Sequence, residues 1–222
     1  MDQTTQHAAL DTIRAEIARA AAIAGRDASE IELVAVSKTH EAPAIRPLLA
    51  AGQRVFGENR VQEAGAKWPA LRAEWPDVAL HLVGRLQSNK AEEAAALFDC
   101  IHSLDRPKLV TALARAFDKD GRQVPCFVQV DVGEEPQKGG CPVAELPALL
   151  AAARGAEVPV IGLMCVPPAG IEPAPFFAFL DKLAADHGLP ARSMGMSGDF
   201  ATAIMLGATH VRVGTALFGA RD

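Results

Sequence analysis

The chain has no tyrosine, and only 5% of its 222 residues are aromatic. Chemistry that needs a phenolic acid or base must therefore use another group. Long apolar runs are missing as well. None approaches the roughly 20 residues that a membrane span requires. The amino terminus carries Asp2 early and has no basic-then-apolar block, so no signal peptide is expected. Basic runs are absent and the net charge is −5, which argues against nucleic-acid binding. Cys100, Cys126, Cys141 and Cys165 are widely spaced and form no C-x-x-C pair, so reduced thiols in the cytoplasm are expected. The six histidines make no H-x-x-x-H or H-E-x-x-H motif, and no metal site is expected.

What is present is a balanced globular composition, with half the residues hydrophobic and 22% charged. An amphipathic helix is predicted over residues 5–24, with Leu10, Ile13, Ile17 and Ala20 or Ala21 on one face. A repeating pattern follows. Strands are predicted at 31–36, 54–56, 79–83, 100–103, 126–132, 158–164, 191–194 and 210–213. Helices are predicted between them at 44–51, 61–71, 89–97, 107–117, 143–153, 174–187 and 200–206. Strands alternating with helices imply a parallel sheet. About eight such units in roughly 200 residues predict one α/β domain over 1–222, a (β/α)₈ TIM barrel with an extra N-terminal helix. An open doubly wound sheet would carry a G-x-G-x-x-G fingerprint after its first strand. That position reads Ser37-Lys38-Thr39 instead.

In such a barrel the loops after the strands build the ligand site. Lys38 ends the first strand, where a partly desolvated amine can attack a carbonyl. It could equally mark the wet end of a buried strand. Ser197-Gly198 and Gly214-Thr215 fall after the seventh and eighth strands, where barrels often hold phosphate. Their glycines let backbone N–H groups approach an anion, and their hydroxyls add donors. Helix N-capping is the plainer account of the same residues. Arg212 alternates with Val211 and Val213, which points it into the barrel. There it needs a partner, either an internal carboxylate or a ligand ring nitrogen. An amine, a phosphate cup and an arginine on adjacent strands match pyridoxal 5′-phosphate (PLP).

The chain resembles the pyridoxal phosphate homeostasis protein family, stand-alone relatives of the alanine racemase N-terminal barrel domain. The resemblance covers nearly the whole length. It is carried by Ala35-Val36-Ser37-Lys38-Thr39, Phe56-Gly57-Glu58-Asn59, His81-Leu82-Val83-Gly84, Leu86-Gln87-Ser88-Asn89-Lys90, Gly162-Leu163-Met164, Ser193-Met194-Gly195-Met196-Ser197 with Asp199, and the run from Arg212 to Arg221. It implies that Lys38 forms an aldimine with PLP and that Asn59 lines the cofactor pocket. It implies that Ser197, Gly198, Gly214 and Thr215 hold the phosphate and that Arg212 faces the pyridine nitrogen. Arg60 and Arg85 depart from the family pattern, at positions that bear on the exposed side of the ring.

The related racemases take a second base, a tyrosine, from an additional β-domain. This sequence has no tyrosine, and it ends at Asp222 just after the barrel. The expectation is therefore a PLP carrier that buffers the cofactor and delivers it to apo-enzymes, without substantial catalysis, as a cytoplasmic monomer. A weak racemase using His40, His81 or Cys165 is one alternative, and a Schiff-base aldolase on a sugar phosphate is another. Lys90 and Lys138 are read as solvated surface lysines.

Overall fold

The computed structural model describes residues 3–135 and 139–219. Nearly continuous apolar runs, covered on both faces, form the strands β1 (Glu32–Val36), β2 (Val55–Glu58), β3 (Ala79–Leu82), β4 (Cys100–Leu104) and β5 (Cys126–Asp131). After the two-residue β6 (Cys141–Pro142) come β7 (Val160–Met164), β8 (Ala191–Met196) and β9 (His210–Val213). All pairings are parallel. β1 to β5 and β7 to β9 form one ring, and β6 adds to the edge of β5. The ring closes where Glu32, Leu33, Val34 and Ala35 of β1 register with His210, Val211, Arg212 and Val213 of β9. The fold is thus the predicted eight-stranded α/β barrel.

Seven helices lie between and after the barrel strands: α2 (Ala42–Ala50), α3 (Val61–Glu74), α4 (Ala91–Leu97), α5 (Pro107–Asp120), α6 (Leu146–Gly155), α7 (Ala174–Asp186) and α8 (Phe200–Met205). Proline occupies the first turn of α2, α5, α6 and α7, where its missing N–H has no helical partner to lose. The short α9 (Thr215–Phe218) follows β9. Strand residues such as Leu33, Phe56, Leu82 and Val211 pack outward against Leu48, Trp68, Leu113 and Leu180 of the helices. The N-terminal helix α1 (Gln3–Ile23) buries Leu10, Ile13, Ile17, Ala20 and Ala21, the predicted face, and packs on α2, α8 and α9. Each such large side chain contributes roughly 1.5–3 kcal/mol. No helix among the described residues is long and apolar enough to cross a membrane.

Several boundaries differ from the sequence-based expectation by a few residues, and three of the differences have a clear physical cause or consequence. β6 lies in a stretch read as loop. The predicted helix at 143–153 opens as a 3₁₀ turn, Val143–Glu145, because Pro147 sits in the first turn of α6. β2 runs on to Glu58 instead of stopping at Phe56. Glu58 stays inside the strand because it is buried with donors. Its Oε1 receives Ser37 Oγ at 2.6 Å and Trp68 Nε1 at 3.1 Å, and lies 2.8 Å from Lys67 Nζ.

Burial, partly offset by Lys67, Ser37 and Trp68, pushes the Glu58 carboxyl above its ordinary range. Lys67 is buried too, and it also donates to Ser37 O at 3.0 Å and His40 O at 2.8 Å. The pair therefore clamps the loop that carries Lys38. Removing one partner of a buried pair leaves an uncompensated charge and costs about 3–5 kcal/mol. Lys67→Met should destabilise the protein by that order at neutral pH, measured by urea unfolding. A Glu58 pKa raised further in the folded variant means that the penalty grows as pH rises through that pKa. It shrinks as pH falls toward the unfolded glutamate value. A deficit independent of pH would show that Glu58 is not the group left unpaired.

Candidate functional site

All strands of a parallel barrel end at one mouth. The mouth of this barrel receives Lys38, two residues beyond the end of β1. Lys38 is half-buried there. The next residue, Thr39, has a φ of +66°, a conformation that strains a β-branched side chain. Its N–H donates to Glu63 Oε1 at 2.5 Å, and Glu63 also accepts from Lys67 at 3.0 Å. His40 stacks on Phe218 of α9, with ring centroids 4.6 Å apart. The Lys38 loop is thus tied to α3 on one side and α9 on the other. Strain held this firmly by its surroundings is a mark of functional sites.

β9 is the neighbour of β1, so its following turn lies beside this loop. A Cβ on Gly214 would come within 3.2 Å of Val36 O, tighter than side chains normally pack. Glycine lets the start of α9 lie against the end of β1. Ser197, after β8, does not cap its own helix α8, which has Asp199 as its N-cap. Its hydroxyl instead reaches across to accept from Gly214 N at 3.3 Å and Ala216 N at 3.4 Å. The capping reading of Ser197 therefore fails in its simplest form. Asp199 Oδ1 receives Met196 N at 2.5 Å and fixes the turn. Thr215 is exposed at the first position of α9. The Ser197 hydroxyl and the Gly214 and Ala216 N–H groups so gather at one spot, with Thr215 between those two residues in the chain, and such groups are the kind that bind anions. Gly198 is exposed with open space around it, and no contact sets it apart.

Arg212 is 5% exposed and points into the barrel as the alternation predicts. Its Nη1 donates to Ser193 Oγ at 2.6 Å and its Nη2 to Cys165 O at 2.8 Å. Both acceptors are neutral. Among the described residues no carboxylate lies within ion-pair distance of it, which removes the internal-carboxylate reading. Burial pulls its pKa below the ordinary guanidinium value.

Below Arg212 the interior carries polar side chains that lie far apart in the sequence. Ser193 Oγ lies 2.8 Å from His102 Nδ1, and His102 Nε2 lies 3.1 Å from His81 Nδ1. Burial lowers the His81 pKa to about 4 and drives that of His102 well down. Cys100 sits beside these histidines. The spacing rules that argued against a metal site test ligands close in sequence. Here two strands supply them, and the only local trace is Cys100 and His102 two residues apart on one strand face.

Asn59 follows β2, on the other side of β1 from β9. Gly84 makes its position possible, because a Cβ there would fall 2.3 Å from Asn59 O. Asn59 borders a cleft of about 1280 Å³ that Arg60, Arg85, Lys90, Arg106, Lys108 and Arg115 also line. The two departures from the family pattern, Arg60 and Arg85, thus face this cleft. Lys90 pairs with Glu93 at 2.7 Å. Lys138 lies outside the described residues.

The sequence model of the alanine racemase, N-terminal domain family matches residues 9–222. The pyridoxal phosphate homeostasis protein of Pseudomonas aeruginosa is 43% identical over 95% of this chain and 93% of its own. That of Escherichia coli K12 is 39% identical over 96% and 95%. Among solved structures, PipY of Synechococcus elongatus with PLP bound superposes with a TM-score of 0.79. It is 42% identical over 86% of this chain and 93% of its own. Alanine racemase of Streptomyces coelicolor, 23% identical, shares the fold over the whole of this chain and 59% of its own, with a TM-score of 0.73. The barrel, its closing strands and these relatives together place the chain in the alanine racemase N-terminal domain family, as a member of the pyridoxal phosphate homeostasis protein group.

Proposed function

We propose that this protein holds PLP at the barrel mouth and keeps it available to apo-enzymes, without substantial turnover of amino acids. Arg212 carries the reading. A buried guanidinium with neutral partners only, among the described residues, suits a ligand acceptor such as a pyridine nitrogen. It shares the mouth with an amine and an anion cradle. An aldolase acting on a sugar phosphate would use Lys38 and the cradle but would leave Arg212 without a role. The curated relatives and PLP-bound PipY support the same ligand.

When bound, PLP supplies an aldehyde that condenses with amines and a ring that can accept negative charge. Lys38 Nζ would link covalently to the aldehyde carbon. Ser197, Gly198, Gly214 and Thr215 would hold the phosphate, and Asn59 would line the ring. Arg212 is always protonated and can only donate, so it would leave the ring nitrogen without a proton. That weakens the ring as an electron sink.

Turnover also needs a second base on the far side of the substrate carbon. Tyrosine is absent. His81 is buried in the polar interior, and His40 is stacked on Phe218. Burial raises the Cys165 thiol to about 12, far from the thiolate a base requires. In this reading recipient enzymes dock transiently on a cytoplasmic monomer.

Purified protein should show the visible absorbance of a lysine-linked cofactor, and Lys38→Ala should lose it. The same preparation should leave the α-proton of L-amino acids unexchanged in deuterium oxide. Rapid exchange would replace the carrier with an enzyme. Each hydrogen bond to a charged phosphate is worth about 1.5–3 kcal/mol, so Ser197→Ala and Thr215→Ala should each weaken PLP retention roughly 10–100-fold in equilibrium dialysis. Unchanged affinity in both would move the phosphate elsewhere.

A further inference from the structure

We propose that the N-terminal half of the barrel interior is a binding site for a zinc-type divalent cation, with His81, Cys100 and His102 as ligands. The site lies below Arg212, joined to it through Ser193, and its argument does not depend on the PLP reading.

One ring nitrogen from each histidine and the Cys100 sulfur all lie within 4.8 Å of one another. His81 Nδ1 and His102 Nε2 are 3.1 Å apart. A tetrahedral zinc with bonds of about 2.0–2.3 Å spaces its ligand atoms by roughly 3.3–3.7 Å, close to the spacing of this cluster. Glu32 Oε1 lies 3.8 Å from His81 Nδ1. It also lies 3.2 Å from His210 Nε2, so it borders the cluster with an imidazole partner of its own.

Ligand chemistry selects the metal. Imidazole and thiolate favour zinc over magnesium or calcium, which take oxygen ligands. The Cys100 thiolate as ligand, with the Glu32 carboxylate 3.8 Å from His81, offsets the charge of the dication. Neutral imidazoles bind a metal without losing a proton. Cys100 binds as a thiolate, so a metal–sulfur bond forms as the thiol proton leaves to solvent. Ser193 Oγ, 2.8 Å from His102 Nδ1, supplies the outer hydrogen bond that orients a ligating imidazole.

Untagged protein dialysed against zinc should retain one equivalent per chain by elemental mass spectrometry. Cobalt in its place should give a near-ultraviolet thiolate charge-transfer band. Cys100→Ser should abolish that band while leaving any PLP absorbance intact. That separates this site from the barrel mouth and from a failure of the PLP reading. His81→Gln should weaken zinc binding by more than the roughly 10–100-fold expected for loss of the outer partner in Ser193→Ala. If Cys100→Ser does not fold, the wild-type melting temperature decides, since it should rise with zinc concentration. No cobalt band, a band that survives Cys100→Ser, or a melting temperature indifferent to zinc would overturn the proposal.

Discussion

Closure of the sheet by β1 against β9 is the constraint from which the site follows. Four residues of each strand register along that seam. An open sheet of the same strands would leave Lys38 at an edge, far from Arg212. Pairing Val34 with Arg212 sets the guanidinium inside the barrel and the following Gly214 turn against Val36. The same seam brings α9 close enough for Phe218 to stack on His40. Residues almost at opposite ends of the sequence thus become neighbours at one mouth, and closure removes the unpaired edges that invite aggregation.

Two buried cations are handled in different ways. Lys67 is satisfied by Glu58, Glu63 and two carbonyls, and its role is to hold the loop of residues 37–40. Its environment is complete without a ligand. Arg212 is as deeply buried, but its described partners are a hydroxyl and a carbonyl. The contrast sets a charge met within the fold beside one that, in the proposed reading, is kept for a ligand. The strained Thr39 belongs with the first, since its backbone is fixed by Glu63, itself a partner of Lys67. The PLP reading thus rests on an amine carried by a rigidly clamped loop and on a cation whose described partners are uncharged.

Most of the architecture was legible because strand and helix periods differ and alternate cleanly along this chain. The inward aim of Arg212 was legible from two flanking valines that both pack outward. Glu58 misled because a buried carboxylate inside a strand reads as a loop residue until its partner, on the next helix, is known. Ser197 lies beside the Gly214 turn, as its position after the seventh predicted strand suggested. Its hydroxyl serves α9 across the seam, a contact that no local pattern encodes. The histidine and cysteine cluster was hidden for a related cause. His81 and Cys100 meet through the register of β3 on β4, which sequence spacing does not state.

The central claim is that Lys38, among all the lysines, is the covalent anchor for PLP. Borohydride reduction of the purified holo-protein, followed by proteolysis and mass spectrometry of the peptides, tests it most directly. The account predicts a phosphopyridoxyl group on Lys38 at close to one per chain, with other lysines essentially unmodified. A label found mainly on another lysine, or no label at all on protein saturated with PLP, would contradict it.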